Sequence, residues 1–332
     1  MVDDADKGYN VSDNPPKEGE KLMKKIIAFA AIALGLAAVA SGGDVADWSR
    51  ERLILDNVLA HQLDCGGWAK NIDKTKPGAK AKRAEDSDAT IDNNATTSEI
   101  RFLLRWHKRH GDRESFAAAV RGIDWLLEAQ LANGGWAQFP NRTKGYWTQI
   151  TFNDNAMRNV LALMRDAAEG REDFAVLDKT RRDRCAAAFK RGIDCVLKCQ
   201  IRVDGKPTVW CQQHDRETLA PTGGRAYELA SFASQESAEI LLLLMSIEKP
   251  SPEIVEAVEG GAAWFECTRL ADGRWARFYD LDECRPLFCD RTSVPRRDIS
   301  DIAPERQHGY SWFNTKGDKA LKKYAEWRKN HK

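Results

Sequence analysis

Residues 86 to 97, DSDATIDNNATT, place three carboxylates (Asp86, Asp88, Asp92) and two amides (Asn93, Asn94) within nine positions. A hard cation such as calcium seeks this kind of oxygen set, because it prefers carboxylate and carbonyl ligands. The stretch has no apolar period, and Asp, Asn and Ser readily bond their own backbone, so it reads as a loop. It runs into SEIRFLLRWHKRH, a helical pattern that Thr97 or Ser98 would cap. The plain alternative is that these side chains only turn and cap the chain. A second polar run, GYWTQITFNDNAM (145 to 157), offers Asp154, again either as a ligand or as a helix N-cap. His214, in VWCQQHD (209 to 215), is the simplest general base by its ordinary pKa. No Ser lies in a nucleophile-elbow pattern, so Ser-His-Asp catalysis has no support.

The elements that must hold these loops are helical. Residues 99 to 110, 114 to 130, 154 to 169, 180 to 199, 235 to 247 and 252 to 267 each show apolar positions three and four apart. Gly111, Gly170 and Pro250 stand where three of them should stop. Strand signals are short, in KPTVWC (206 to 211) and RWARFYDL (274 to 281). The segments LILDNVLAHQLDCGGW (53 to 68), RGIDWLLEAQLANGGW (121 to 136) and RGIDCVLKCQIRVDGKPTVW (191 to 210) resemble one another. Trp68, Trp136, Trp210 and Trp275 recur at intervals of 68, 74 and 65 residues, which fits a pair of helices per repeat. These signals predict a mainly α chain of repeated helical hairpins, closed as an α/α toroid with the loops gathered on one face.

A chain of 332 residues buries one large core or two modest ones. Its 42% hydrophobic and 30% charged residues are an ordinary globular composition. A net charge of +1 gives no reason to expect nucleic acid or a membrane surface as a partner. Eleven Trp suit a core, and they also suit the floor of a sugar-binding cleft. Eight Cys contain no CxxC pair, which argues against structural zinc and leaves buried thiols or one or two disulfides. Lys24 and Lys25, an apolar run at 26 to 37 and Ala38-Val39-Ala40 read as a secretory signal peptide. It starts naturally at Met23, so residues 1 to 22 are expected to be an upstream extension. Residues 41 to 332 are then one exported domain, free of the membrane once cleaved and expected to be monomeric.

Eight segments carry more polar and aromatic residues than turns need: GGWAKNID (66 to 73), TIDNNATTSEI (90 to 100), GGWAQFP (134 to 140), GYWTQITFNDNAM, VWCQQHD, APTGGRAYELAS (220 to 231), RPLFCDR (285 to 291) and ERQHGYSWF (305 to 313). In order and spacing they resemble the family-ten pectate lyases, over roughly residues 50 to 313. The resemblance implies a secreted enzyme of α/α toroid fold that cleaves α-1,4-linked polygalacturonate by calcium-assisted β-elimination, giving 4,5-unsaturated oligogalacturonates. By motif it implies Asp92, Asn93 and Asp154 as calcium and substrate-orienting ligands. It implies Arg225 as the base, its pKa lowered by calcium, Arg291 and Arg306, and those two arginines as clamps on substrate carboxylates. Lys70, Trp210, His214 and Asp215 become cleft residues. The bland readings are a surface Arg225, an Arg291–Asp290 pair and an Arg306–Glu305 pair.

Some positions depart from the family pattern. Ala69 and Ala137 stand where prolines are usual, Asn94 where the motif reads DNGAT, and Thr222-Gly223-Gly224 where a lysine is common. Three alternatives remain open. Gln-to-Trp repeats also resemble those of terpene cyclases, although no DxDD-type initiator is present. A non-catalytic pectin-binding protein would keep the same scaffold. A glycoside hydrolase would use Asp92 and Asp154 as its carboxylate pair.

Overall fold

The computed structural model describes residues 42–76 and 85–331, with side chains from Trp48 onward. The expected upstream extension and signal peptide lie outside the described residues. The chain divides between Ile54 and Leu55, and the second unit, Leu55–Lys332, carries the candidate site.

The helices are α1 (Gly42–Ala60), α2 (Thr97–His110), α3 (Arg113–Glu128), α4 (Ala156–Glu169), α5 (Lys179–Cys199), α6 (Ser234–Leu244), α7 (Pro252–Cys267), α8 (Pro304–His308) and α9 (Lys316–Asn330). Their ends follow local chemistry. Asp112 accepts from Ser115 N (2.9 Å) and Asp178 from Arg181 N (2.8 Å), each capping a helix. Gly111 and Gly170 end α2 and α4 in the left-handed region, as the expected breakers should. The cap expected from Thr97 or Ser98 does not form: the N-cap of α2 is Thr96, with φ 66 and no side-chain cap bond.

Within this unit α2 packs on α3, α4 on α5 and α6 on α7. The first helices of these pairs touch in succession, α2 to α4 to α6, and so do the second, α3 to α5 to α7. Helix α9 packs on α6 and α7. The chain is thus mainly α, with hairpins laid in two layers. The expected strands shrink to two-residue pieces in the loops. β1 (Ile150–Thr151), β4 (Gln213–His214) and β5 (Pro221–Thr222) form one small antiparallel sheet, with β4 in the middle. β2 (Arg202–Val203) pairs with β3 (Lys206–Pro207), β6 (Phe232–Ala233) with β8 (Phe278–Tyr279), and β7 (Trp275–Ala276) with β9 (Phe313–Asn314).

The Gln-to-Trp repeat is structural. Trp68, Trp136, Trp210 and Trp275 are all fully buried. Their indole N–H groups donate to the carbonyls of Val58 (2.8 Å), Leu126 (2.8 Å), Val196 (2.7 Å) and Phe265 (3.0 Å), tying each loop to the preceding helix. The partner glutamine spans to the next helix. Gln62 Nε2 donates to Gly66 O and Ala118 O, and Gln130 Nε2 to Gly134 O and Ala188 O, all at 2.9 Å. Gln200 Nε2 reaches Thr208 O (2.8 Å) and Ala257 O (2.9 Å) in the same way. Buried indole and amide groups need such partners, so the motif joins three chain segments at each repeat. The loop leaving each Trp is also set: Thr90 N, Thr151 N and Ala233 N donate to the carbonyls of Trp68, Trp136 and Trp210.

Candidate active site

Two of these loops carry the acidic residues. Thr90-Ile91-Asp92-Asn93-Asn94-Ala95 and Thr151-Phe152-Asn153-Asp154-Asn155-Ala156 make corresponding 3-10 turns, at Asp92–Asn94 and Asn153–Asn155, and the two turns pack against each other. Both are backbone-strained. Asn93 (φ 51), Asn94 (φ 64), Asp154 (φ 49) and Asn155 (φ 62) lie in the left-handed region, which Asn and Asp tolerate better than other non-glycine residues. That explains Asn94 where the resembling family reads Gly. Asp154 is therefore inside a turn, and Asn155 holds the N-cap position of α4.

Asp92 is buried, with a side chain 2% exposed. Its Oδ2 is paired with Lys70 Nζ, and its Oδ1 is buried without a hydrogen-bond partner. Asp154 accepts from Asn153 Nδ2 (2.9 Å). Burial, and then the like charge of Asp92, push its carboxyl above the usual carboxylate range. Asp86 and Asp88 do not join them. Asp86 Oδ1 accepts from Cys65 N (3.0 Å), and Asp88 pairs with Arg142 (3.0 Å). For these two the turn-and-cap reading of the loop is the right one, and the ligand reading narrows to Asp92. Asn93 lies at the exposed rim beside Asn71.

Calcium fits Asp92 and Asp154 in kind. An orphaned carboxylate oxygen on one turn, facing a second carboxylate turn, is the hard-oxygen donor set that calcium takes. Among the described residues no group of three or more His, Cys, Asp or Glu converges as a ready-made cage. Remaining ligands would come from amide, water or substrate oxygens.

Close enough for the charges of Arg225 and Arg277 to act on Asp154 stands an arginine–tyrosine wall. Arg225 donates through Nε to Glu228 Oε2 (2.9 Å), and through Nη2 to Oε1. Its backbone N–H adds a third bond to Oε2 (3.0 Å). Gly224 leaves the room, since a Cβ there would stand 2.8 Å from Glu228 Oε2. Tyr310 OH donates to Glu228 Oε1 (2.8 Å). The guanidinium of Arg225 lies over Tyr227 (4.9 Å) and Tyr310 (5.6 Å). Arg306 also lies over Tyr227, at 4.7 Å. Its backbone carbonyl accepts from Trp312 Nε1 (2.8 Å), which fixes the short helix α8. Beneath them, buried Arg277 donates to buried Glu236 (2.8 Å) and stacks on Tyr310 at 4.7 Å. Tyr146 belongs to this neighbourhood too. Burial raises its pKa, while the charges of Arg225, Glu228 and Asp92 act on its hydroxyl.

Three expectations need correction, those for Trp210, His214 and Asp215. For Arg225, without calcium, the bidentate Glu228 contact holds the pKa up, and burial opposes it less. Trp210 lines no cleft: it is fully buried as one of the repeat's tryptophans. His214 is also fully buried. Its Nε2 accepts from Cys211 N (3.1 Å) and its Nδ1–H faces Leu219 O (2.9 Å), which leaves no nitrogen for chemistry. Burial lowers its pKa to about 4. Asp215 closes a surface turn by accepting from Glu217 N (3.0 Å) and Thr218 N (2.8 Å). Of the other cleft candidates, Lys70 sits on Asp92. Arg306 pairs with Glu305 (2.9 Å), as its bland reading has it. Arg291 pairs with Glu305 (3.0 Å) rather than Asp290.

Sequence reading missed Glu228, Glu236, Arg277, Tyr310 and Tyr146. Glu228 was signalled by its place three residues after Arg225 within one motif. Arg277 and Glu236 lie 41 residues apart, and nothing local ties them together.

Comparison with known proteins agrees with this geometry. A curated relative, a probable squalene–hopene cyclase of Sinorhizobium fredii, is 23% identical over 256 residues, 75% of this chain. The chain spans only 34% of that protein's length. A family 10 polysaccharide lyase from Cellvibrio cellulosa superposes with a TM-score of 0.77 at 33% identity, covering 82% of this chain and 90% of that one. An aspartate-to-alanine mutant of that family 10 lyase, in complex with trigalacturonic acid, gives the same TM-score and identity, with 91% of its chain covered. The pectic acid lyase family profile (Pec_lyase) matches residues 62–274 and 271–321, nearly all of the unit that holds the site, and the chain belongs to that family.

Proposed function

We propose that the protein is an exported pectate lyase that cleaves α-1,4-linked polygalacturonate by β-elimination, releasing 4,5-unsaturated ends. The observation that carries this reading is the facing pair of turns, with buried Asp92 and exposed Asp154 within the field of Arg225 and Arg277. Elimination removes the C5 proton, breaks the C4–O glycosidic bond and leaves a C4=C5 double bond, while the departing oxygen takes up a proton. The C5 proton is weakly acidic, so charge developing toward the adjacent carboxylate must be met by preorganised positive charge. Calcium bound at Asp92 and Asp154 would supply such charge.

The chain's own residues divide the remaining work. In the free protein Glu228 holds Arg225 in its charged form, and calcium held at Asp92 and Asp154 would oppose that charge, so that Arg225 could take the C5 proton. Arg306 shares the Tyr227 wall and is held through Nε by half-exposed Glu305, a screened contact also used by Arg291. We therefore keep proton abstraction on Arg225 and assign substrate binding to Arg291, Arg306, Asn93 and Lys70. Export is supported by the signal-peptide pattern at 23 to 40, and no helix among the described residues is long and apolar enough to cross a membrane. The enzyme acts as a monomer in this reading.

The deciding experiment is polygalacturonate cleavage followed by ultraviolet absorbance of the unsaturated product. EDTA should abolish it, and calcium should restore it better than magnesium, which demands tighter octahedral geometry. New reducing ends without that absorbance would make the protein a hydrolase. Binding without cleavage would make it a pectin-binding protein.

A further inference from the structure

Asp92 has a counter-ion before any metal arrives. Its carboxylate is almost wholly enclosed, and its neighbour Asp154 is also acidic. An enclosed carboxylate needs a paired cation. Lys70 Nζ supplies it on Oδ2, while Oδ1 stays buried and unbonded. An arginine would have engaged both oxygens. A lysine is a single point charge and leaves one oxygen open.

Lys70 is also built to leave. Its side chain is 30% exposed, so the ammonium reaches inward from the rim. Its stem passes Phe139, with Nζ 5.5 Å from that ring, and the chain turns sharply after it at Asn71 (φ 63). Swinging the ammonium out to water unpacks no core residue, since a lysine head is easily rehydrated on its flexible stem.

We propose that Lys70 is a displaceable counter-ion of Asp92. It holds the carboxylate in the free protein, competes there with a divalent cation, and moves to a substrate carboxylate when that cation binds. The proposal rests on the calcium-assisted reading above. It makes calcium affinity depend on substrate: the bound polyanion gives the released ammonium a new partner. An ammonium about 4 Å from a divalent ion opposes it by roughly thirtyfold in affinity, even at the dielectric of bulk water. The protein without substrate should accordingly bind calcium weakly, for a reason located in one side chain.

The test is calorimetric titration of calcium chloride into the EDTA-stripped full chain, with and without trigalacturonate. Wild type, Lys70→Met, Lys70→Gln and Lys70→Met/Asp92→Asn are compared. Without trigalacturonate, both single variants should bind calcium tenfold or more tighter than wild type, and the double variant should lose that gain. Trigalacturonate should tighten calcium binding in wild type much more than in Lys70→Met. Circular dichroism confirms folding, and Lys70→Gln keeps a polar end should Lys70→Met fail to fold. If wild type with trigalacturonate binds calcium but the folded Lys70 variants bind it no tighter alone, the ion pair is only structural; the counter-ion idea falls and the lyase reading stands. If no protein binds calcium even with trigalacturonate, both fall together.

Discussion

Arg225 and Arg306 lie against the same tyrosine, yet their partners differ. Glu228 is almost wholly buried and holds Arg225 by two prongs, whereas Glu305 is half exposed and holds Arg306 by one. A clamp and a base fail differently. Loss of a clamp mainly raises KM, whereas loss of a base lowers kcat with binding nearly kept. Arg306→Lys should thus raise KM tenfold or more, the scale of a lost charge-assisted contact. Arg225→Lys should lower kcat by roughly 10²-fold or more, the range for a lost general base. The reverse pattern would move the base role to Arg306. His214 makes a different prediction, about stability. Its pKa in the fold is about 4 against an ordinary 6.5, so the unfolded chain takes up a proton first as pH falls. Stability should drop between pH 6.5 and 4, by about 3 kcal/mol from this residue. Thermal midpoints measured across that window should fall in wild type and fall less in His214→Asn. The motif could not show which way the ring of His214 faces, and the ring is turned into the core.

At the level of elements, the six helical periods became helices within a few residues, because each has an apolar face and most have a cap or a breaker. The repeated Trp residues were legible too, but as markers of period; their burial came from contacts between helices that the sequence does not display. The tight packing around them should be costly to disturb. A Cβ on Gly192 would stand 2.4 Å from Leu161 Cδ2 and 3.0 Å from Trp136 Cζ3. Gly192→Ala should therefore destabilise the fold by about 1–3 kcal/mol, the usual cost of overpacking. Chemical denaturation would read this directly, and a neutral result would mean that α5 can shift away from α4 freely. Asp92 and Asp154 were legible as a pair because short polar motifs carry them. Glu236–Arg277 was not, since one partner lies on α6 and the other in a loop 41 residues away.

For the whole molecule, the net charge of +1 hides a division of labour. The site cations Lys70, Arg225, Arg291 and Arg306 each pair with a carboxylate there, so bound calcium would give the site its excess positive charge. A polyanionic substrate should be drawn to that charge at long range, and dissolved salt screens such attraction beyond about 8–10 Å. KM for polygalacturonate should accordingly rise with ionic strength at fixed calcium, with kcat little changed. A flat KM would mean that short contacts alone hold the polymer. The sequence disclosed the layered architecture through its period, but not the burial of Trp210 and His214, since which face of a loop points inward is set only when the hairpins stack.

The two turns that carry Asp92 and Asp154 leave their tryptophans in the same way and have nearly the same length. They read as copies of one repeated turn, with the acid at the third position in one copy and at the fourth in the other. That offset of one residue gives the two carboxylates unlike surroundings: Asp92 is enclosed beside a lysine, and Asp154 lies open beside an asparagine. A cation or a sugar carboxylate at the seam thus meets one sheltered and one open acid, obtained from a repeat by a change of one place in the order of two residues.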